Sequence, residues 1–206
     1  MSLLTAPRMR SERSRHDRHL SPDAVREYED VLERARTSGS RESLPNIYPW
    51  HSAVAVDQLM KLANERQADG AKQTVRLLTG SCPDFVYGRD AFKEFSKFVD
   101  DGGRLKILAW TKSLDAVRPK LTSLADDHPD QVEVRVSNRD DLNDQIPHFL
   151  LVEDGAYRYE VPHAAVDAST CSDFEPEVPA KISFNDEDNG RGLREFFDEL
   201  WGAMEP

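Results

Sequence analysis

His148, Arg158 and Glu160 are the residues whose types and spacing best suit chemistry. By type they are a proton carrier, a cation and a carboxylate, all within one short stretch from Pro147 to Glu160. That stretch reads as a β-hairpin. An apolar run, Phe149 to Val152, meets Asp154-Gly155, and the chain returns through Tyr157 and Tyr159 with polar residues between them. Asp-Gly between two such runs predicts a type I′ turn, which requires positive φ at both central residues. Residues two apart on a strand share a face. Arg158 and Glu160 therefore point the same way, and pairing with each other is the plain alternative to acting on a ligand.

Other residues offer weaker chemistry. Gly80-Ser81-Cys82 follows a short β-like run, on the edge where open α/β sheets bind ligands. Ser81 is thus a candidate binding residue, and Trp110, Asp154 and Tyr157 are further candidates. Trp110 stands at a strand end that can line a pocket, with core packing as the alternative. Cys82 to Arg89 approaches the Cys-x5-Arg loop of cysteine phosphatases, but six residues intervene, and Pro83, Asp84 and Phe85 replace the small residues that cradle phosphate. Asp84 also works against the low thiol pKa such a nucleophile needs. His148, Glu153, Asp154 and His163 are metal-ligand types without ligand spacing, so no metal and no cofactor is expected.

The whole chain narrows the class. Its 206 residues, 38% hydrophobic and 32% charged, suit one core-bearing domain with extensions. A net charge of -11 makes a nucleic-acid or anionic-membrane partner unfavourable for the body of the protein. Apolar runs are strand-length, so no transmembrane helix is expected. The N-terminus lacks an apolar signal core, which predicts a cytoplasmic protein. Cys82 and Cys171, far apart in sequence, are read as free thiols.

Three regions follow from the pattern. Residues 1–20, rich in Arg, His and Ser without apolar period, read as a disordered basic tail. Residues 21–72 read as a helical extension. Ser21-Pro22-Asp23 opens the first helix and Gly39 stops it; a linker from Ser38 to Pro49 leads to a second helix near Ser52 to Ala68. Residues 73–206 alternate strands (Thr74 to Leu78, Leu105 to Trp110, Val132 to Val136) with helices (Asp90 to Asp101, and one from Ser113 towards Asp127). The hairpin, a strand from Lys181 to Phe184 and a helix from about Gly190 complete this region. The alternation predicts an α/β domain with a mostly parallel sheet flanked by helices.

This order resembles one half of the phospholipase D superfamily fold. The points of resemblance are the helix ending in Gly102-Gly103, the strand Gly103 to Leu108, the histidine opening a hairpin, and the closing helix with Phe196 to Trp201. The family motif is His-x-Lys-x-x-x-x-Asp. His148 matches the histidine, Leu150 stands at the lysine, and Gly155 stands at the aspartate with Asp154 one place early. The Gly-Ser-x-Asn that usually follows is replaced by Ala156 to Glu160. In the family one histidine attacks phosphorus, a second protonates the leaving group and lysines hold the phosphate oxygens.

The resemblance therefore implies a degenerate, non-catalytic domain that binds a protein partner or a phosphate-containing ligand around His148, Arg158 and Glu160. Relatives build one site from two halves, so it also implies a homodimer. Two alternatives stand beside it. One is a phosphodiesterase or nuclease in which His148 attacks and Arg158 replaces the lysine. The other is an interaction module working through the N-terminal helices.

Overall fold

The computed structural model describes residues 22–46, 48–80, 89–110, 118–137, 139, 145–162 and 180–204. The expected basic tail, Ser81, Cys82, His163 and Cys171 lie outside these residues. The described elements are helices α1 (Pro22–Ser38), α2 (Pro49–Ala68), α3 (Arg89–Asp100), α4 (Arg118–Asp127) and α5 (Glu187–Ala203). The strands are β1 (Leu44–Pro45), β2 (Thr74–Thr79), β3 (Arg104–Trp110), β4 (Val132–Ser137), β5 (His148–Val152), β6 (Ala156–Glu160) and β7 (Ala180–Ser183).

The seven strands form one mixed sheet in the order β1-β7-β6-β5-β2-β3-β4. Only β2-β3 and β3-β4 are parallel; β2-β5, β5-β6, β6-β7 and β1-β7 are antiparallel. The expectation of a mostly parallel sheet is therefore corrected to a mostly antiparallel one. Strand-helix alternation holds only from β2 to β4. Between Ser137 and His148 the chain has ten residues, 138–147, and a parallel crossover needs a dozen or more. β5 accordingly runs antiparallel to β2, and each strand added beyond it is antiparallel to its neighbour.

The two faces of the sheet are covered unequally. Leu32 of α1, Val56, Leu59 and Met60 of α2, Phe95 and Phe98 of α3, and Leu124 of α4 share one apolar cluster with Val75, Leu77, Ile107, Leu150 and Val152. On the other face Phe197 and Trp201 of α5 cluster with Leu78, Leu108, Trp110, Phe149, Leu151 and Tyr157. Removing one such large side chain from water contributes about 1.5–3 kcal/mol. The N-terminal helices α1 and α2 contribute to this core cluster. β1, inside the stretch read as linker, even pairs with β7.

Local chemistry explains the boundaries. α3 ends in a Schellman motif: Gly102 has φ 87°, its N–H donates to Val99 O, and the N–H of Gly103 donates to Phe98 O. A Cβ on Gly103 would sit 2.4 Å from the Phe98 ring, so the Gly-Gly pair serves backbone and packing together. The hairpin is present, but its turn differs from expectation. Val152 pairs with Ala156, leaving a three-residue connection, 153–155, in which Glu153 rather than Gly155 has positive φ (47°). The Glu153 carboxylate accepts from the Thr74 N–H, while the Glu153 N–H donates to Thr74 O. Those bonds hold Glu153 in the left-handed region and displace the expected I′ turn.

Candidate functional site

The site grows from the β5–β6 register. His148 faces Glu160 across the ladder and Leu150 faces Arg158. All four lie on the sheet face covered by α1 and α2, at the end where β2, β3, β4 and β6 terminate. His148 Nδ1 is 3.6 Å from Glu160 Oε2, and both His148 and Arg158 are buried, at 4% exposure each. The Arg158 guanidinium is engaged on several sides. Nε donates to Asn46 Oδ1 at 2.6 Å, and one terminal nitrogen donates to Ser52 Oγ at 2.5 Å and to Glu160 Oε1. Leu150 is 1% exposed and belongs to the apolar cluster.

Asn46 fastens this cluster to the N-terminal segment. Its N–H donates to Ala180 O at 2.8 Å, continuing the β1–β7 contact, and its Nδ2 donates to the Tyr28 hydroxyl at 3.0 Å. That hydroxyl in turn donates to Pro45 O at 3.0 Å. Burial pushes the Tyr28 hydroxyl up to about 12, against smaller opposing pulls from its Asn46 hydrogen bond and the Arg158 charge. Tyr28 also stacks on His51 at 3.8 Å, with Trp50 edge-on to both rings. Sequence reasoning missed Tyr28, Asn46 and Ser52 as members of the site. The only signal was a polar residue, Ser52, at a helix position that turns inward.

The other candidate residues lie apart from this cluster. Asp154 is at the opposite end of the hairpin, where its carboxylate meets Arg194 at 2.5 Å. There it lines a groove of about 620 Å³ with Arg66, Gly155, Asn185, Glu187, Arg191 and Arg194. Tyr157 points to the opposite sheet face and donates to Asp186 Oδ2 at 2.6 Å. Burial first, then the adjacent carboxylate, pushes the Tyr157 hydroxyl above its ordinary range. Asp186 caps α5, its Oδ1 accepting from the Asn189 N–H. Its own burial raises its pKa, but hydrogen bonds from Tyr157 and Asn189 and the Lys181 charge hold it below the usual value. Trp110 shares the strand-end edge with His148 but lies on the α5 face, 1% exposed, with Nε1 donating to Arg139 O at 2.8 Å. Ser81 is outside the described residues. Thus His148, Arg158 and Glu160 come together, and Trp110, Asp154 and Tyr157 do not join them. Among the described residues no group of three or more His, Cys, Asp or Glu side chains is arranged to hold a metal ion. Nor is any described helix long and apolar enough to cross a membrane.

No family model and no curated protein matches this sequence. Solved structures do match. TrmBL2, an archaeal chromatin protein whose structure shows a novel mode of DNA binding, is similar with a TM-score of 0.54 at 15% identity, over 87% of this chain and 61% of that one. Polyphosphate kinase from Porphyromonas gingivalis is similar with a TM-score of 0.51 at 12% identity, over 83% of this chain and 29% of that one. Nuc from Salmonella typhimurium, a phospholipase D family member, is similar with a TM-score of 0.49 at 14% identity, over 70% of this chain and 88% of that one. The chain is structurally similar to the phospholipase D fold. At these identities the phospholipase D-like likeness is one of fold alone. The chain spans less than two thirds of the chromatin protein and less than a third of the kinase.

Proposed function

We propose that this protein is a non-catalytic phospholipase D-like domain. In this reading it binds a protein partner or a phosphate-containing ligand at the strand ends around His148, Arg158 and Glu160, and it works as a homodimer. One observation carries the non-catalytic part. The cation that faces Leu150, where the family motif has lysine, is Arg158, and it is already committed to Asn46, Ser52 and Glu160. Leu150, at the lysine position itself, is sealed in the apolar core. Phosphoryl transfer requires cations aimed at the developing charge; a guanidinium neutralised by a carboxylate and pinned by two further side chains is poorly suited to that work. The binding part is supported by topology, since ligands of open α/β sheets bind outside the carboxyl ends of the parallel strands.

The net charge of -11 counts against a nucleic-acid ligand of the kind the chromatin protein binds. The interaction-module alternative is disfavoured because Leu32, Val56, Leu59 and Met60 of the N-terminal helices are spent on the protein's own core. The deciding assay offers a bis-aryl phosphodiester and short single-stranded DNA to the purified protein. Turnover at the background rate, unchanged by His148→Ala, is expected. Turnover abolished by that substitution would establish the substituted phosphodiesterase instead.

A further inference from the structure

We infer that two copies of this chain join through the edge strand β4, antiparallel about a two-fold axis passing between the paired Val134 residues. This rests on the homodimer reading above and assigns its interface.

Among the described residues β4 is the last strand of the sheet and has a ladder partner, β3, on one side only. The backbone hydrogen bonds fix which groups face outward. Gln131 O accepts from Leu105 N–H, so in the parallel ladder 133 and 135 turn their N–H and C=O towards β3. The backbone groups of Val134 and Val136, and the carbonyl of Val132, then face away from the sheet. The Val132 N–H is used by His128 O.

The sequence of this edge, Val132-Glu133-Val134-Arg135-Val136, is self-complementary. Centring the two-fold on Val134 makes Val134 opposite Val134, a pair that can exchange both hydrogen bonds, and Val132 opposite Val136, where the Val136 N–H can donate to the Val132 carbonyl. It also sets Glu133 of each copy directly opposite Arg135 of the other. These are non-hydrogen-bonded positions, where side chains approach most closely and opposite charges stabilise. The neighbouring registers of the same parity oppose Glu133 to Glu133 or Arg135 to Arg135, and charge rejects both. A slip of one residue turns outward groups against inward ones.

The side chains are prepared for this arrangement. Arg135 is held at the edge, its guanidinium 4.4 Å over the Trp201 ring and donating to the Trp201 and Met204 carbonyls. Glu133 is exposed and makes no ion pair among the described residues. Val136, 38% exposed, is one of the two large exposed hydrophobics among them, and the pairing covers it with Val132 of the other copy.

The test measures mass by light scattering across a dilution series of the full chain and three variants. The wild type is expected to be a dimer of the 23.4 kDa chain at about 50 μM. Glu133→Arg, which creates like-charge pairs, is expected to weaken association about tenfold or more. The double exchange Glu133→Arg with Arg135→Glu is expected to restore it. Val134→Pro removes an outward N–H that no described residue accepts; it is expected to give monomers whose circular-dichroism melt stays close to wild type. A dimer indifferent to Glu133→Arg and Val134→Pro would overturn the β4 interface while leaving the homodimer standing. A double exchange that folds but stays as weak as Glu133→Arg would overturn the register. A monomeric wild type would overturn the homodimer and this interface with it, leaving the non-catalytic reading to its own assay.

Discussion

At the scale of single residues, the site is defined by what Arg158 already holds. Leu150 shares an apolar cluster with Leu59 and Met60, so a lysine there would place a charge in the core. Leu150→Lys is expected to cost about 3 kcal/mol or more of stability and to yield no phosphodiester turnover; denaturant midpoints and the same assay check both. Ser52→Ala removes one of the acceptors of a buried cation, which is expected to cost about 1–3 kcal/mol. A second prediction concerns pH. Tyr28 titrates near 12 in the folded chain against about 10 in the unfolded one. Its neutral form is therefore favoured by folding. That contribution is complete below about pH 10 and is lost as pH rises through about 12. Tyr28→Phe should be less stable at neutral pH, having lost the Asn46 and Pro45 hydrogen bonds, yet should decline less steeply over that alkaline window. Chemical denaturation at a series of pH values shows whether it does.

At the scale of elements, α5 packs directly against the β5–β6 turn. A Cβ on Gly190 would fall 1.9 Å from Asp154 O. Gly190→Ala must therefore push the last helix off the hairpin, and a loss of about 2 kcal/mol or more is expected despite alanine's better helix propensity. A thermal melt no lower than wild type would count against that contact. This scale also shows what the sequence made legible. Helices and strands carried their own periods, so α3 with its Phe92, Phe95, Phe98 and Val99 face, and β5 with its apolar run, were readable, as was the hairpin. Strand direction has no local period: β5 and β2 look alike in sequence whichever way they run. The turn was misread because the bonds to Thr74 that position Glu153 come from a strand far away in sequence. β1 is two residues long and exists only because β7 is there to pair with it. The meeting of His148, Arg158 and Glu160 was readable from hairpin parity, whereas Asn46 and Ser52, which pin Arg158, arrive through the tertiary packing of the segment from β1 into α2.

At the scale of the whole molecule, the N-terminal helices are part of the main core. Ala55, Val56, Leu59, Met60 and Ala63 are all fully buried and cluster with the sheet. A chain beginning near Gln73 would expose that face, together with the buried Arg158 stripped of Asn46 and Ser52. We expect it to aggregate or to lose cooperative unfolding, as read by size exclusion and calorimetry. A soluble, cooperatively melting fragment would show that the α/β portion stands alone.

Among the described residues one helix, α5, covers the second face, and this has a consequence for how the protein is made. A ribosome delivers the chain from its N-terminus at about 5–20 residues per second. The first four described helices and all seven described strands precede α5, and those helices collapse on one side of the growing sheet. Leu78, Leu108, Phe149 and Tyr157 on the other side must wait for Phe197 and Trp201. Until that helix emerges, the nascent protein presents a wide apolar surface to solvent. Chains stalled shortly after Asn185 should be cut readily by protease within β5 and β6, and those stalled with Ala203 fully outside should resist. Translation through α5 is thus the stage at which this domain most needs a chaperone.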